Sequence, residues 1–196
     1  MSKQVEFFFD VGSPTTYLAW TQLPALCAAA GAELVYRPTL LGGVFQATGN
    51  ASPAEVPAKA RHMNVDMARW ARRYGVPLAQ NPFFPINTLL LMRGATGAQL
   101  RAPERFQAYL RGVFHAMWVE PQNLNDPATA AQALATAGFD PAEVMGWAGD
   151  AEVKATLRAT TEEAVARGAY GAPTMFVGTE MFFGQDRLEF VREALG

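Results

Sequence analysis

Short apolar runs alternate along this chain with longer stretches of helical period. Val5-Glu6-Phe7-Phe8-Phe9 is β-branched and aromatic and is bounded by Asp10 and Gly12, which predicts a buried strand. A helix from about Thr15 to Ala30 follows and stops at Gly31, because glycine accepts the left-handed conformation that closes many helices. Glu33-Leu34-Val35-Tyr36-Arg37-Pro38 predicts a second strand, closed by a proline that has no N–H to give a ladder. Two strands joined by one helix make a right-handed β-α-β unit.

From Leu41 to about Gly149 the pattern is helical, broken by Gly, Pro and Asn. Met63, Met67, Trp70 and Tyr74 recur at spacings of four, three and four residues, and Phe106, Leu110, Val113 and Met117 do the same. Asn125-Asp126-Pro127 and Asp140-Pro141 set a capping acid before a proline and open two further short helices. The last segment is mixed: a helix from about Ala151 to Arg167 ended by Gly168, a strand Met175-Phe176-Val177, a turn, and Met181-Phe182-Phe183. Asp186-Arg187-Leu188-Glu189 then opens a final helix as a capping box. The order is β-α-β, helices, α-β-β-α. It predicts an α/β fold with a thioredoxin-like core, residues 1–40 and 150–196, interrupted once by a large all-helical insertion, residues 41–149.

Composition narrows the function. The chain has 196 residues, enough to bury a core without staples. A formal net charge of -2 and 17% charged residues give no basic field to gather nucleic acid, so small molecules are the expected partners. No apolar run approaches the roughly 18 residues of a membrane span, and the N-terminus lacks the pattern of a cleaved leader. A cytoplasmic location is therefore expected. The single cysteine, Cys27, excludes an internal disulfide and dithiol exchange, and its spacing from Trp20 and Leu23 puts it on the apolar stripe of the first helix, where core packing is expected. His62 and His115 have no Cys or paired carboxylate at ligand spacing, so no metal site is expected, and His115 reads as a packed or rim histidine. Arg61, Arg69, Arg72 and Arg73 read as a solvated helix face.

The chemistry gathers at Ser13-Pro14, just after the first strand and just before the first helix. A thioredoxin-fold enzyme carries its reactive cysteine there. A helix N-terminus offers unpaired N–H groups and the positive end of the macrodipole, so it stabilises an anion such as a thiolate. A serine hydroxyl is not a redox group, but it can donate a hydrogen bond to the sulfur of a bound thiol. The same serine is also a good helix N-cap, and both readings stand at this point. In Gly171-Ala172-Pro173-Thr174, Pro173 has the position of a cis proline that turns the backbone of Ala172 toward the loop of Ser13, where it can pair with a peptide-like ligand.

Six segments, in order, carry a resemblance: Asp10-Val11-Gly12-Ser13-Pro14-x-x-Tyr17, Arg37-Pro38-x-Leu40-Leu41-Gly42-Gly43-Val44, Gly49-Asn50, Val56-Pro57-x-Lys59, Gly171-Ala172-Pro173-Thr174 and Phe183-Gly184-Gln185-Asp186-Arg187. Together they resemble the kappa-class glutathione S-transferases and the related 2-hydroxychromene-2-carboxylate isomerases, a DsbA-like group. The resemblance implies glutathione as cofactor. Ser13 would hold its sulfur and the Ala172 backbone, before Pro173, its cysteinyl part. Asn50 and Lys59 would be further contacts, and Gln185 and Asp186 would meet the γ-glutamyl end. A carboxylate suits the helix N-terminus at Gly184-Gln185-Asp186, and the Asp186 carboxylate suits an ammonium, although the capping box asks for the same side chain.

On the substrate side the isomerases' lysine and Asn-Arg pair fall on Phe45 and on Glu55-Val56, so the basic clamp is lost or moved. Asn81-Pro82-Phe83-Phe84-Pro85-Ile86-Asn87 reads either as an aromatic wall with an amide, offering Phe84 and Asn87 to a flat aromatic substrate, or as a core-facing loop. The resemblance implies a homodimer and a glutathione-dependent isomerase. A kappa-class transferase or peroxidase, and a redox-inactive DsbA-like peptide-binding module, are the rival readings.

Overall fold

The structure, a computed structural model, describes residues 3–196. Strand β1 (Gln4–Phe9) runs into helix α1 (Pro14–Ala29) and returns as β2 (Glu33–Pro38), which pairs with β1 in parallel from Gln4↔Glu33 to Phe9↔Pro38. Strand β3 (Thr174–Val177) lies antiparallel on the other side of β1, and β4 (Glu180–Phe183) hairpins onto β3. The sheet order is β2-β1-β3-β4. Because β1 is central it is covered on both faces, which is why its sequence is a continuous apolar run rather than an alternation.

Side chains of β1 divide by parity. Val5, Phe7 and Phe9 enter the main core with Leu18 and Leu23 of α1, whereas Phe8 joins a small cluster with Phe176, Ala164 and Ala169 under helix α8 (Ala151–Ala166). Arg167 roofs that cluster. Its guanidinium lies 3.8 Å from the Phe176 ring centroid and reaches Glu6 at 2.7 Å and Glu163 at 3.2 Å, while Arg37 pairs with the same Glu163.

Residues 41–149 contain helices α2 (Leu41–Thr48), α3 (Pro57–Tyr74), α4 (Leu89–Arg101), α5 (Phe106–Trp118), α6 (Pro127–Thr136) and α7 (Pro141–Gly149). Asp126 and Asp140 cap α6 and α7 by accepting from Thr129 N at 2.8 Å and Ala142 N at 2.9 Å. Helix α4 is the hub. Leu91, Met92, Ala95 and Ala98 are buried, and a β-carbon at Gly94 or Gly97 would overlap the Tyr109 hydroxyl or the Trp147 side chain. Met92, Tyr109 and Leu110 belong to the same core as Phe7 and Leu18, so the helical residues pack as one body with the sheet.

One expected element is different. Gly184, at φ 100° and ψ 152°, turns the chain into a 3₁₀ turn, Gln185–Arg187, and α9 (Leu188–Leu195) starts only after it. The Asp186-to-Glu189 capping box does not form: Arg187 is the cap residue and makes no side-chain cap bond. Instead the Asp186 carboxylate pairs with Arg187 at 2.9 Å and folds back against Gly184, where a β-carbon would stand 2.5 Å from it.

Candidate active site

The loop Asp10-Val11-Gly12-Ser13 leaves β1 at its C-terminal end, where the sheet's hydrogen bonds stop and the chain must find other partners. Asp10 is fully buried. One carboxylate oxygen accepts from Gly12 N at 2.8 Å, and the other accepts from Leu41 N at 2.8 Å and Thr88 Oγ1 at 3.0 Å. Burial pushes its pKa up, and the three hydrogen bonds pull against that rise. Val11 donates to Met92 Sδ at 3.4 Å and accepts from Trp118 Nε1 at 2.8 Å. Partners from α2, α4, α5 and the residue before α4 thus hold the loop.

Ser13 then caps α1. Its backbone is extended, its hydroxyl accepts from Thr16 N at 3.2 Å, and Pro14 takes the first helical position, where a missing N–H costs nothing. The hydroxyl also faces the distant loop: it donates to Ala172 O at 2.9 Å, across 159 positions of sequence. Ala172-Pro173 is a cis peptide. Thr15 stands beside this contact, its hydroxyl 2.8 Å from Ser13 Oγ and 3.4 Å from Ala172 O. Ser13 is 6% exposed, whereas Thr15 and Ala172 are half-buried.

These groups floor a cavity of about 700 Å³. Ser13, Asn50, Ala172, Gln185 and Asp186 line it, as do Phe45 and Phe84. Asn50 is fixed by donating from Nδ2 to Tyr170 O at 2.7 Å, and Gly184 N donates to Pro173 O at 3.0 Å, which draws the Gln185–Asp186 turn to the cis-proline loop. Gln185 O accepts from Tyr74 Oη at 2.6 Å. Met63, Met67, Leu78 and Trp118 complete an apolar wall with Phe45 and Phe84, and among the described residues Asp186 is the only charged one that lines the space.

Three expected site residues stand elsewhere. Lys59 is exposed on α3 and does not line the cavity, and Pro173 does not line it either, although Ala172 at the other end of the same cis peptide does. Asn87 is outside the wall because its groups are used locally: Oδ1 accepts from Leu89 N at 3.1 Å, and its own N–H bonds Asn125 Oδ1 at 2.9 Å. Of this loop's two asparagines the one that lines the space is Asn81, which donates to Met117 O and Gln122 O, each at 3.2 Å, and so holds the loop. Among the described residues no three His, Cys, Asp or Glu side chains converge as a metal site. His115 is exposed beside Glu120 at 3.4 Å.

Sequence reasoning missed Thr15, Asp10 and Trp118. Asp10 had a signal, since an acid directly after a wholly apolar strand must be buried with donors or sit at a turn. Trp118 had none, because its role depends on where α5 ends in space.

A model of the DSBA-like thioredoxin domain matches residues 4–196. A 2-hydroxychromene-2-carboxylate isomerase of Sphingobium xenophagum is 30% identical over 100% of this chain and 99% of its own length. Human glutathione S-transferase kappa 1 is 27% identical over 100% of this chain and 92% of its own. The solved structure of a 2-hydroxychromene-2-carboxylate isomerase superposes with a TM-score of 0.85 at 30% identity, covering 98% of this chain and 94% of that one. With its serine at the head of α1 and the cis proline opposite, the chain belongs to the DSBA-like thioredoxin-domain family, in the group of 2-hydroxychromene-2-carboxylate isomerases and kappa-class glutathione S-transferases.

Proposed function

We propose that this protein is a glutathione-dependent isomerase of the 2-hydroxychromene-2-carboxylate isomerase type. The observation that carries the reading is a serine hydroxyl at a helix N-terminus facing the carbonyl of Ala172 in a cavity of about 700 Å³, within the range of sites that enclose small organic ligands. Bound glutathione supplies a nucleophilic sulfur that adds reversibly to a flat aromatic substrate, allowing ring opening and cis-trans isomerisation. Ser13 and the N–H groups opening α1 hold that sulfur ionised. The backbone of Ala172 aligns the cysteinyl part, and Gln185, Asp186 and Asn50 take the rest of the tripeptide. Residues 1–40 and 150–196 form the glutathione-binding half; residues 41–149 present the substrate wall, with Phe45 and Phe84 against the aromatic ring. We place the enzyme in the cytoplasm as a homodimer.

A second reading, a kappa-class transferase, is favoured by a cavity lining that, among the described residues, holds no Lys, Arg or His, which suits an uncharged acceptor. Calorimetric titration with glutathione tests both readings, and no binding would remove both. Incubation with glutathione and a hydroxychromene carboxylate separates them: interconversion with glutathione unchanged identifies an isomerase, and consumption identifies a transferase. Ser13→Ala is expected to cut either rate by about 10²-fold or more, the loss seen when an oxyanion-type donor is removed; wild-type turnover in that variant would refute the role of Ser13.

A further inference from the structure

The hydrogen bonds around Ser13 leave its proton committed. A hydroxyl has one proton and two lone pairs. Thr16 N fills one lone pair of Ser13 Oγ at 3.2 Å. The remaining neighbours are Ala172 O at 2.9 Å and Thr15 Oγ1 at 2.8 Å. Ala172 O only accepts, so two arrangements satisfy the set. In one, Ser13 donates to Ala172 O and Thr15 donates to Ser13. In the other, Thr15 donates to Ala172 O and Ser13 donates to Thr15. Neither leaves the Ser13 proton free to point at a ligand.

When Ser13 donates to sulfur instead, the half-buried Ala172 carbonyl at the cavity floor loses that protein donor, and its two lone pairs leave room for a second hydroxyl beside the ligand's own backbone. Among the described residues Thr15 is the one side chain besides Ser13 that hydrogen-bonds this oxygen, its hydroxyl 3.4 Å away. We propose that Thr15 is a positioning residue that takes over the Ala172 carbonyl and so releases the Ser13 proton toward the thiolate of bound glutathione. The proton count closes: the thiol proton leaves to solvent, Ser13 keeps its own and only redirects it, and Thr15 exchanges one acceptor for another. No side chain is ionised. The inference rests on glutathione occupying this site, as proposed above.

The test reads the sulfur rather than turnover. Thiolate absorbance near 240 nm, followed against pH, gives the thiol pKa of bound glutathione, and calorimetry gives its affinity beside that of S-methylglutathione, which has no thiol to ionise. Thr15→Val keeps the shape and removes the hydroxyl. The expected result is a bound-thiol pKa about one unit higher than in the wild type, a tenfold loss of thiolate near neutral pH. Affinity for glutathione falls more than affinity for S-methylglutathione, and Thr15→Ser restores both values. A bound-thiol pKa in Thr15→Val equal to that of the wild type overturns the inference, as does an equal loss of affinity for the two ligands, which would mark Thr15 as merely structural. Failure of the wild type to bind glutathione is a different result and removes the parent reading with it.

Discussion

Asp10→Asn tests whether one buried carboxylate joins the Ser13 loop to the helices that surround it. Asp10 is wholly buried and accepts from Gly12 N, Leu41 N and Thr88 Oγ1. An amide has the same outline but accepts through one oxygen only. With that oxygen on Gly12, the NH₂ group faces the Leu41 N–H, two donors with nothing to accept them, while the Thr88 hydroxyl is free to rotate and accept. One charge-assisted bond is lost, about 1.5–3 kcal/mol, and a buried donor is stranded, about 1–3 kcal/mol. Removing the charge offsets part of this, because an ionised carboxylate out of water is itself unfavourable. The expected net loss is about 2 kcal/mol at pH 7, a large share of the 5–15 kcal/mol that holds a typical domain.

The dependence on pH gives a sharper test. Burial sets the Asp10 pKa above that of an unfolded aspartate, about 3.9, so the folded protein holds the proton more tightly than the unfolded chain. Stability from this group is then fully present below the unfolded value and is lost as pH rises through the folded one. Asp10→Asn does not titrate at this position, and all other ionisable groups are shared. Urea unfolding of both proteins across pH 4 to 8 should therefore show the wild type's lead largest at low pH and shrinking as pH rises. A lead that widens with pH, or one below about 0.5 kcal/mol throughout, would refute the reasoning.

Arg167→Ala should destabilise the fold by about 2 kcal/mol in urea unfolding, with most of the loss persisting in 1 M salt, because stacking on Phe176 at 3.8 Å is not screened as the pairs to Glu6 and Glu163 are; a variant as stable as the wild type refutes this. Burial pushes the Cys27 thiol up to about 11, so iodoacetamide at pH 8 should label the unfolded chain and leave the native protein unmodified, as followed by mass spectrometry. Equal labelling of native and unfolded protein would contradict the buried position. Phe45→Lys places an ammonium in a wall that has no cation, and should shift kcat/KM toward a carboxylate substrate over its methyl ester by about tenfold; an unchanged ratio would mean that Phe45 does not face the substrate.

Legibility followed the physics of each element. Strand β1 and helices α3 and α5 were plain, since each exposes a face or fills a layer with a regular apolar period, and the aspartate-proline caps fixed the starts of α6 and α7. Helix α4 was not singled out, because a helix buried on most sides has no amphipathic period, and its glycines read as breakers where they are close-packing sites. The capping box at Asp186 failed for a related reason. The pattern is local, whereas the path of the chain there is set by Gly184 and by the bond from Gly184 N to Pro173 O.

Amino-acid order alone determined the strands and helices of the thioredoxin-like plan and the single helical interruption, because propensity, capping and apolar period act within a few residues, whereas the pairing of Ser13 with Pro173 was legible only through the likeness to thioredoxin-type proteins. Tertiary structure decided what surrounds the serine. It placed Asp10 between Gly12, Leu41 and Thr88, and it brought Thr15 and Ser13 to one carbonyl. It also turned Asn87 out of the cavity while turning Phe45, Phe84 and Trp118 into it. Those contacts join segments many residues apart, and their cause is the need of each buried donor and acceptor for a partner, which only the folded chain can satisfy.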